Sequence, residues 1–324
     1  MNIQYLLKTA IIVAVSLVTF QVSASEQKAT ELRIGYQKYG NLLLVKTKGN
    51  LEQRLAKQSI QVKWVEFPGG PQLLEGLNVG SIDFGVTGET PPIFAQAAGA
   101  NLVYVANEPP APTSEAILVT KDSPIQSVAE LKGKKVALNK GSNVHYLLVR
   151  ALQEAGLKYS DITPVYLAPS DARAAFESNR VDAWVIWDPF LAAAEIQLSA
   201  RVLKDGSNIV DNHQFYLASR PYAEQHPQVI TAIVEEIQKV GDWPKNNPNQ
   251  VTDLVALILG LSKEITLLAI TRQSYGTQFI TPKVVAEQQK IADTFSELRL
   301  IPKKLNIDDV IWTPPASQQA KQAN

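Results

Sequence analysis

Ser142 and His145 stand three residues apart on one helical turn and are the residue types of a nucleophile and its base. A triad needs a third group, an acid that orients the imidazole, and the sequence offers none beside them. Asn139-Lys140-Gly141-Ser142 has the ending of a phosphate-binding loop without its spaced glycines. Catalysis therefore finds little support. The same residues are better suited to holding an anion. Three segments share one design: Thr87-Gly88-Glu89-Thr90, Gly141-Ser142-Asn143-Val144-His145 and Trp187-Asp188-Pro189. Each joins a strand-like run to a helix start, where unpaired N–H groups and the helix dipole attract negative charge. Gly88 lets the backbone approach a ligand closely. Pro91 and Pro92 fit a first helical turn but donate nothing, so the donors must come from residues 87–90. Thr87, Ser142 and Asn143 add side-chain donors.

Each of these residues also has a plainer role. Ser142, Asn143 and Asp188 are helix N-cap types. The cap is the favoured reading for Asp188, whose carboxylate would repel an anion. Glu89 meets the same objection, and is left to cap, to point outward or to pair with an amine on the ligand. His145 either donates to an oxyanion or lies on the helix flank. Trp187, at the end of a strand, suits an alkyl-binding wall or the core, and Tyr36 and Trp64 suit the core.

The elements that would carry these loops alternate. Leu32 to Gln37, Val62 to Phe67, Ile82 to Val86 and Leu102 to Ala106 read as strands, with helices between them near 43–57, 72–79 and after Pro91. The proline-rich segment 108–113 marks a lobe boundary. Strand patterns resume at 116–120, 136–139, 162–167, 183–187 and 202–204, and Phe215 to Ser219 returns to the first lobe. From Pro221 the pattern is helical, over 228–240, 249–259, 263–272 and 282–298. Alternation of this kind predicts an α/β fold of two lobes, each a mostly parallel sheet flanked by helices, with the ligand cleft between them. The expected division is 25–113 with 219–324 for lobe one and 114–218 for lobe two.

Composition narrows the function. The 324 residues are 45% apolar and 19% charged, with 31 basic and 31 acidic side chains. No basic field exists to attract nucleic acid. With no cysteine, disulfides and thiolate chemistry are excluded, and three scattered histidines (His145, His213, His226) do not suggest a zinc site. No cofactor is expected. Lys8 precedes an apolar run from Ala10 to Phe20, which is too short to span a bilayer, and Val22-Ser23-Ala24 follows. Residues 1–24 therefore read as a secretory signal cut after Ala24, which predicts a periplasmic protein, expected to be a monomer.

The segments GYQ (35–37), EFPGGPQLLEGLNVGSIDFGVTGETPPIFAQAAGANLVYV (66–105), KGSNVHYLLVRAL (140–152), SDARAAFESNRVDAWVIWDPF (170–190), FYLASRPYAE (215–224) and LIPKKLNIDDVIW (300–312) resemble the aliphatic sulfonate-binding proteins of bacterial ABC importers. The resemblance covers nearly all of the chain after the signal. It implies a type II periplasmic binding protein with a hinged cleft, which delivers an organosulfonate to a membrane permease. In that family the sulfonate meets the helix starts after the TG loop and the GSS-type loop. This places Thr87, Gly88 and Glu89, and Ser142, Asn143, Val144 and His145, around the anion. Trp187 and Asp188 join them, with Gln37 and Tyr216 from the matching segments. The family's TGD reads Thr87-Gly88-Glu89 here, and its GSSSH reads Gly141-Ser142-Asn143-Val144-His145. A sulfonate is anionic and tetrahedral and can be met by amide and hydroxyl donors without a counter-charge. The alternatives on the same scaffold are binding of taurine, nitrate or a thiamine precursor, and pyrimidine synthesis by an enzyme.

Overall fold

The computed structural model describes residues 30–314, so the signal segment 1–24 lies outside the described residues. The first lobe is built from β1 (Glu31–Tyr36), α1 (Gly40–Lys48), α2 (Asn50–Ala56), β2 (Gln61–Glu66), α3 (Gly70–Asn78), β3 (Phe84–Gly88), α4 (Pro91–Ala97) and β4 (Leu102–Asn107). The second follows with β5 (Glu115–Val119), β6 (Lys135–Leu138), α5 (Asn143–Glu154), β7 (Thr163–Tyr166), α6 (Pro169–Glu177), β8 (Ala183–Trp187), α7 (Phe190–Leu198) and β9 (Arg201–Asp205). The chain returns through β10 (Gln214–Ser219), α8 (Arg220–Gln225), α9 (Pro227–Gln238), α10 (Trp243–Asn246), α11 (Pro248–Leu259), α12 (Lys263–Arg272), β11 (Gln278–Phe279) and α13 (Pro282–Glu297).

The strands form two sheets, in the orders β11-β4-β10-β3-β1-β2 and β7-β6-β8-β5-β9. Both are mixed. β1 pairs with β2 and β3 in parallel, whereas β10 runs antiparallel between β3 and β4. In the second sheet β6 is parallel to β7 and β8, and β5 is antiparallel to β8 and β9. Most strands in each sheet still point one way, so the carboxyl ends of β1, β3, β6 and β8 open on the cleft. β10 belongs entirely to the first sheet, pairing Gln214 with Gly88 and Ala218 with Phe84. The chain therefore enters the first sheet at Gln214, as the return expected for Phe215 to Ser219 implies and ahead of the division expected at 218/219. The reason is the strand's buried run, Gln214 to Ala218, which fills the gap between β3 and β4.

Local corrections have local causes. The single helix expected over 43–57 is two, because Gly49 sits at φ 68° and turns the chain between them. Strand β3 begins two residues later than the alternation of Ile82 suggests. Asp83 is held by Arg33, whose backbone N–H lies 2.8 Å from Oδ2, and whose guanidinium pairs with Oδ1 at 2.6 Å. Helix α6 starts at Pro169, a proline at the first helical turn, with Ala168 before it. Helix α13 ties the lobes together. Its Val284 packs in a first-lobe cluster with Leu73 and Tyr104, while Ile291, Ala292 and Phe295 pack with Ala116, Val144 and Leu148 of the second.

Candidate functional site

Where the two lobes meet, a small cavity of about 20 Å³ is lined by Gln37, Tyr39, Gly70, Gly88, Pro91, Ser114, Asn143, Trp187, Asn212 and Gln214. Gln37 follows β1, Gly88 ends β3 and Trp187 ends β8. Gly70, Pro91 and Asn143 open α3, α4 and α5. Strand ends and helix starts from both sheets thus converge, which is where open α/β sheets bind ligands. The first N–H groups of α3 and α5 have no partner within their helices. The volume holds about one water molecule, so the lobes are closed on each other in this conformation.

A polar network surrounds the cavity. The Asn143 carboxamide donates to the Glu115 carboxylate and, at 3.1 Å, to Asn212 Oδ1. Asn212 Nδ2 donates to the Ala111 carbonyl and to Ser114 Oγ, each at 3.0 Å, and Tyr39 Oη donates to Ser114 Oγ at 3.0 Å. Gln37 Nε2 donates to the Val86 carbonyl at 3.1 Å. The side-chain donors of Gln37, Tyr39, Ser114, Asn143 and Asn212 are thus engaged by protein acceptors. Trp187 is 8% exposed and meets Phe190 edge to face at 6.3 Å between ring centroids, which gives the cavity its aromatic wall.

Of the residues expected at the site, Gln37, Gly88, Asn143 and Trp187 line this cavity and the others do other work. Thr87 turns its hydroxyl to the Gly88 carbonyl at 3.0 Å. Glu89 neither caps nor points outward. It is buried, and its Oε2 accepts from the His213 N–H at 3.0 Å, in the crossover between lobes. Burial pushes its carboxyl up to about 8, and the charges of Asp211 and Glu287 push the same way. Ser142 precedes α5, yet its hydroxyl donates back to the Asn139 carbonyl at 2.7 Å. Val144 is fully buried in the second-lobe core. His145 lies among the rings of Phe94, Tyr159, Tyr166 and Phe295, with centroid distances of 5.2 to 6.1 Å. Burial, helped by Lys140, lowers its imidazole to about 3. Asp188 serves its own helix: Oδ1 accepts from the Ala192 N–H at 3.0 Å and lies 3.7 Å from Arg272. Burial still raises its carboxyl to about 7. Tyr216 stacks on Phe84 at 6.1 Å and donates to the buried Glu108 carboxylate.

The sequence reading missed Tyr39, Gly70, Ser114, Asn212, Gln214 and the buried Glu115 behind them. One signal was present. Gly69-Gly70-Pro71 is a further strand-to-helix turn with proline at the helix start, of the same design as the loop before α4. Asn212 is in left-handed backbone at φ 52° within the crossover, and no local pattern marks it.

Comparison with known proteins agrees with this architecture. Residues 55–251 match the family described as NMT1/THI5 like. An aliphatic sulfonates-binding protein of Escherichia coli (strain K12) is 48% identical over 95% of this chain and 97% of its own length. The crystal structure of the periplasmic aliphatic sulphonate binding protein SsuA from Escherichia coli superposes with a TM-score of 0.79, over 88% of this chain and 93% of that one. The alkanesulfonate-binding protein SsuA from Xanthomonas axonopodis pv. citri, bound to MOPS, is 40% identical and gives 0.84, over 88% and 99% of the two chains.

Proposed function

The chain belongs to the aliphatic sulfonate-binding proteins within the NMT1/THI5-like family, and on that premise we propose that it captures an aliphatic sulfonate in the periplasm, as a monomer, and hands it to the permease of an ABC importer. It acts as a binding protein and not as an enzyme. Two lobes, one formed by the chain up to about residue 113 together with the segment from β10 onward and one by the segment between, close over the ligand. The leading segment 1–24 is its export signal.

The observation that carries this reading is the convergence of the α3 and α5 starts with Gly88, Gln37 and Asn143 on one interlobe cavity. Helix N–H groups and carboxamides are neutral donors, and three equivalent sulfonate oxygens can take several of them at once. Trp187 and Tyr39 offer the apolar surface that the alkyl end requires. About 20 Å³ is too little for the anion, so binding proceeds through an opened form. The sulfonate then replaces some of the contacts that Asn143 and Asn212 make with protein acceptors. Glu115 is buried beside Asn143 and pushed well above the usual carboxylate range, chiefly by burial and further by Glu89. Burial thus disfavours a negative charge next to the ligand.

A thermal-shift and calorimetric series decides the matter, using ethane- to octanesulfonate, taurine, sulfate and nitrate. Alkanesulfonates should raise the melting temperature, since they bind the native state alone. A response to nitrate or to taurine without one to alkanesulfonates would sink the reading. Chemical turnover of any bound compound would overturn the binding-protein assignment.

A further inference from the structure

The crossover between the lobes carries a second cluster that sulfonate capture does not use. Asp211 and His213 lie just before β10, and Glu287 stands on α13. One ligand atom from each lies within 4.8 Å of the others. His213 is buried, at 4% exposed, and its Nδ1 is 2.8 Å from the Glu108 carbonyl oxygen. A carbonyl can only accept, so Nδ1 carries the hydrogen, and the neutral ring presents its lone pair at Nε2. A backbone carbonyl fixing one ring nitrogen in this way is how metal-ligating histidines are oriented. Nε2 faces Glu287 Oε2 at 3.4 Å. Two ligands bound about 2.1 Å from a tetrahedral zinc ion lie about 3.4 Å apart, so this pair already spans one edge of such a site.

The surroundings fit a cation. Asp211 is exposed, so its carboxylate can swing in as a third ligand without disturbing the core. The groove in front, of about 520 Å³, leaves room for water as a fourth ligand. Glu89 lines the same groove, and its Oε1 is buried with no hydrogen-bond partner. The cations nearby leave Oε2 of Glu287 available: Lys283 approaches the other oxygen, Oε1, at 3.5 Å, and Arg150 binds Gln153 at 3.0 Å. Lys290 also lines the groove.

We propose that Asp211, His213 and Glu287 bind a divalent transition metal of the zinc class, with water completing the coordination. Imidazole with two carboxylates suits zinc, whereas magnesium and calcium prefer oxygen alone. Sequence spacing hides the site because its only histidine meets Glu287 through the fold. A bound ion would fasten the crossover to α13, the helix that packs in both lobes.

The test is calorimetric titration of the purified, metal-stripped protein with zinc chloride, with magnesium chloride as the parallel. One saturable zinc site and a zinc-dependent rise in melting temperature are expected. Affinity should fall at least about tenfold in His213→Ala and in Glu287→Gln. Glu287 is partly exposed, so its variant keeps the test valid should the buried His213 variant fail to fold. Three results overturn the proposal: no saturable zinc binding by the wild type, unchanged zinc affinity in Glu287→Gln, or magnesium bound as tightly as zinc.

Discussion

The lobe-one loop 87–90 and the lobe-two loop 141–145 face each other across the cavity and contribute in opposite senses. Lobe one supplies an absence of side chain. A β-carbon on Gly88 would lie 2.9 Å from Asn143 Cβ and 3.0 Å from its Cγ. Lobe two supplies the group that fills that space, and Asn143 carries the hydrogen bonds to Glu115 and Asn212. The first contribution is steric and the second polar, so they should fail differently. Added volume at Gly88 should prevent closure. Lost polarity at Asn143 should permit closure but leave buried groups unpaired.

Gly88→Val should have the largest effect. Its side chain would need space already occupied by the opposite lobe, so the closed form is blocked while each lobe keeps its own core. Sulfonate affinity is expected to fall by about a hundredfold or more, with the ligand-induced thermal shift lost and the unliganded protein still folded. Calorimetry and circular dichroism on the same sample read both properties. Wild-type affinity in this variant would remove the lobe-one loop from the binding site.

Asn143→Ala sharpens the polar half. The Glu115 carboxyl loses its donor inside the protein, and Asn212 Oδ1 loses one as well. A buried polar group left unpaired costs about 1–3 kcal/mol, and affinity should weaken by about tenfold. Urea unfolding measured beside calorimetry separates the two losses. An unchanged affinity would mean that the network braces the empty cleft only.

Glu115→Gln should act more gently and mainly through pH. Burial, then the charge of Glu89, hold the Glu115 carboxyl well above its unfolded value near 4.5, against the Asn143 hydrogen bond. The native state therefore keeps a proton that the unfolded chain releases. This contribution to stability is full below about pH 4.5 and is lost as pH rises toward the folded value. The glutamine variant should flatten that slope and gain stability relative to wild type as pH rises. Sulfonate affinity should also vary less with pH, because no carboxylate forms beside the anion. Identical pH profiles for variant and wild type would show that Glu115 does not titrate there.

The parts of this arrangement that follow from periodicity and turn chemistry were legible in the sequence. Ile34, Phe84, Val86 and Ile186 are buried on strands, and the strands ending in Gly88 and Trp187 lead into loops at their carboxyl ends, as alternation implies. The rest depends on contacts distant in sequence. Asp83 delays β3 because Arg33 holds it. Glu89 is buried against the crossover because residues 211–213 fold back over it. Tyr39 and Asn212 reach the cavity through Ser114, a residue that no motif marks. Loop design identifies where a site can be, but which side chain of the loop faces it is set by the partner lobe.

His145 is the clearest case, and its variant should have the smallest effect on binding. It sits two residues from Asn143, yet its ring turns away into a nest completed by Phe94 and Phe295 of lobe-one helices. Gly141 N–H donates to Nδ1 at 3.3 Å, so the neutral ring carries its hydrogen on Nε2, which is buried without a hydrogen-bond partner. His145→Phe fills the same flat space and gives up one long hydrogen bond. Sulfonate affinity should stay within about threefold of wild type. The difference should emerge in acid. With its folded value lowered to about 3 by burial and by Lys140, the native imidazole resists a proton that the unfolded one takes up near 6.5. The wild type therefore loses stability as pH falls from about 6.5 toward 3, and phenylalanine carries no such penalty. The stability of the variant relative to wild type should rise steadily across that window, opposite in direction to the Glu115 effect. A tenfold loss of affinity at unchanged melting temperature would mean that His145 swings into the cleft to meet the anion, and the two loops would then both bind through side chains.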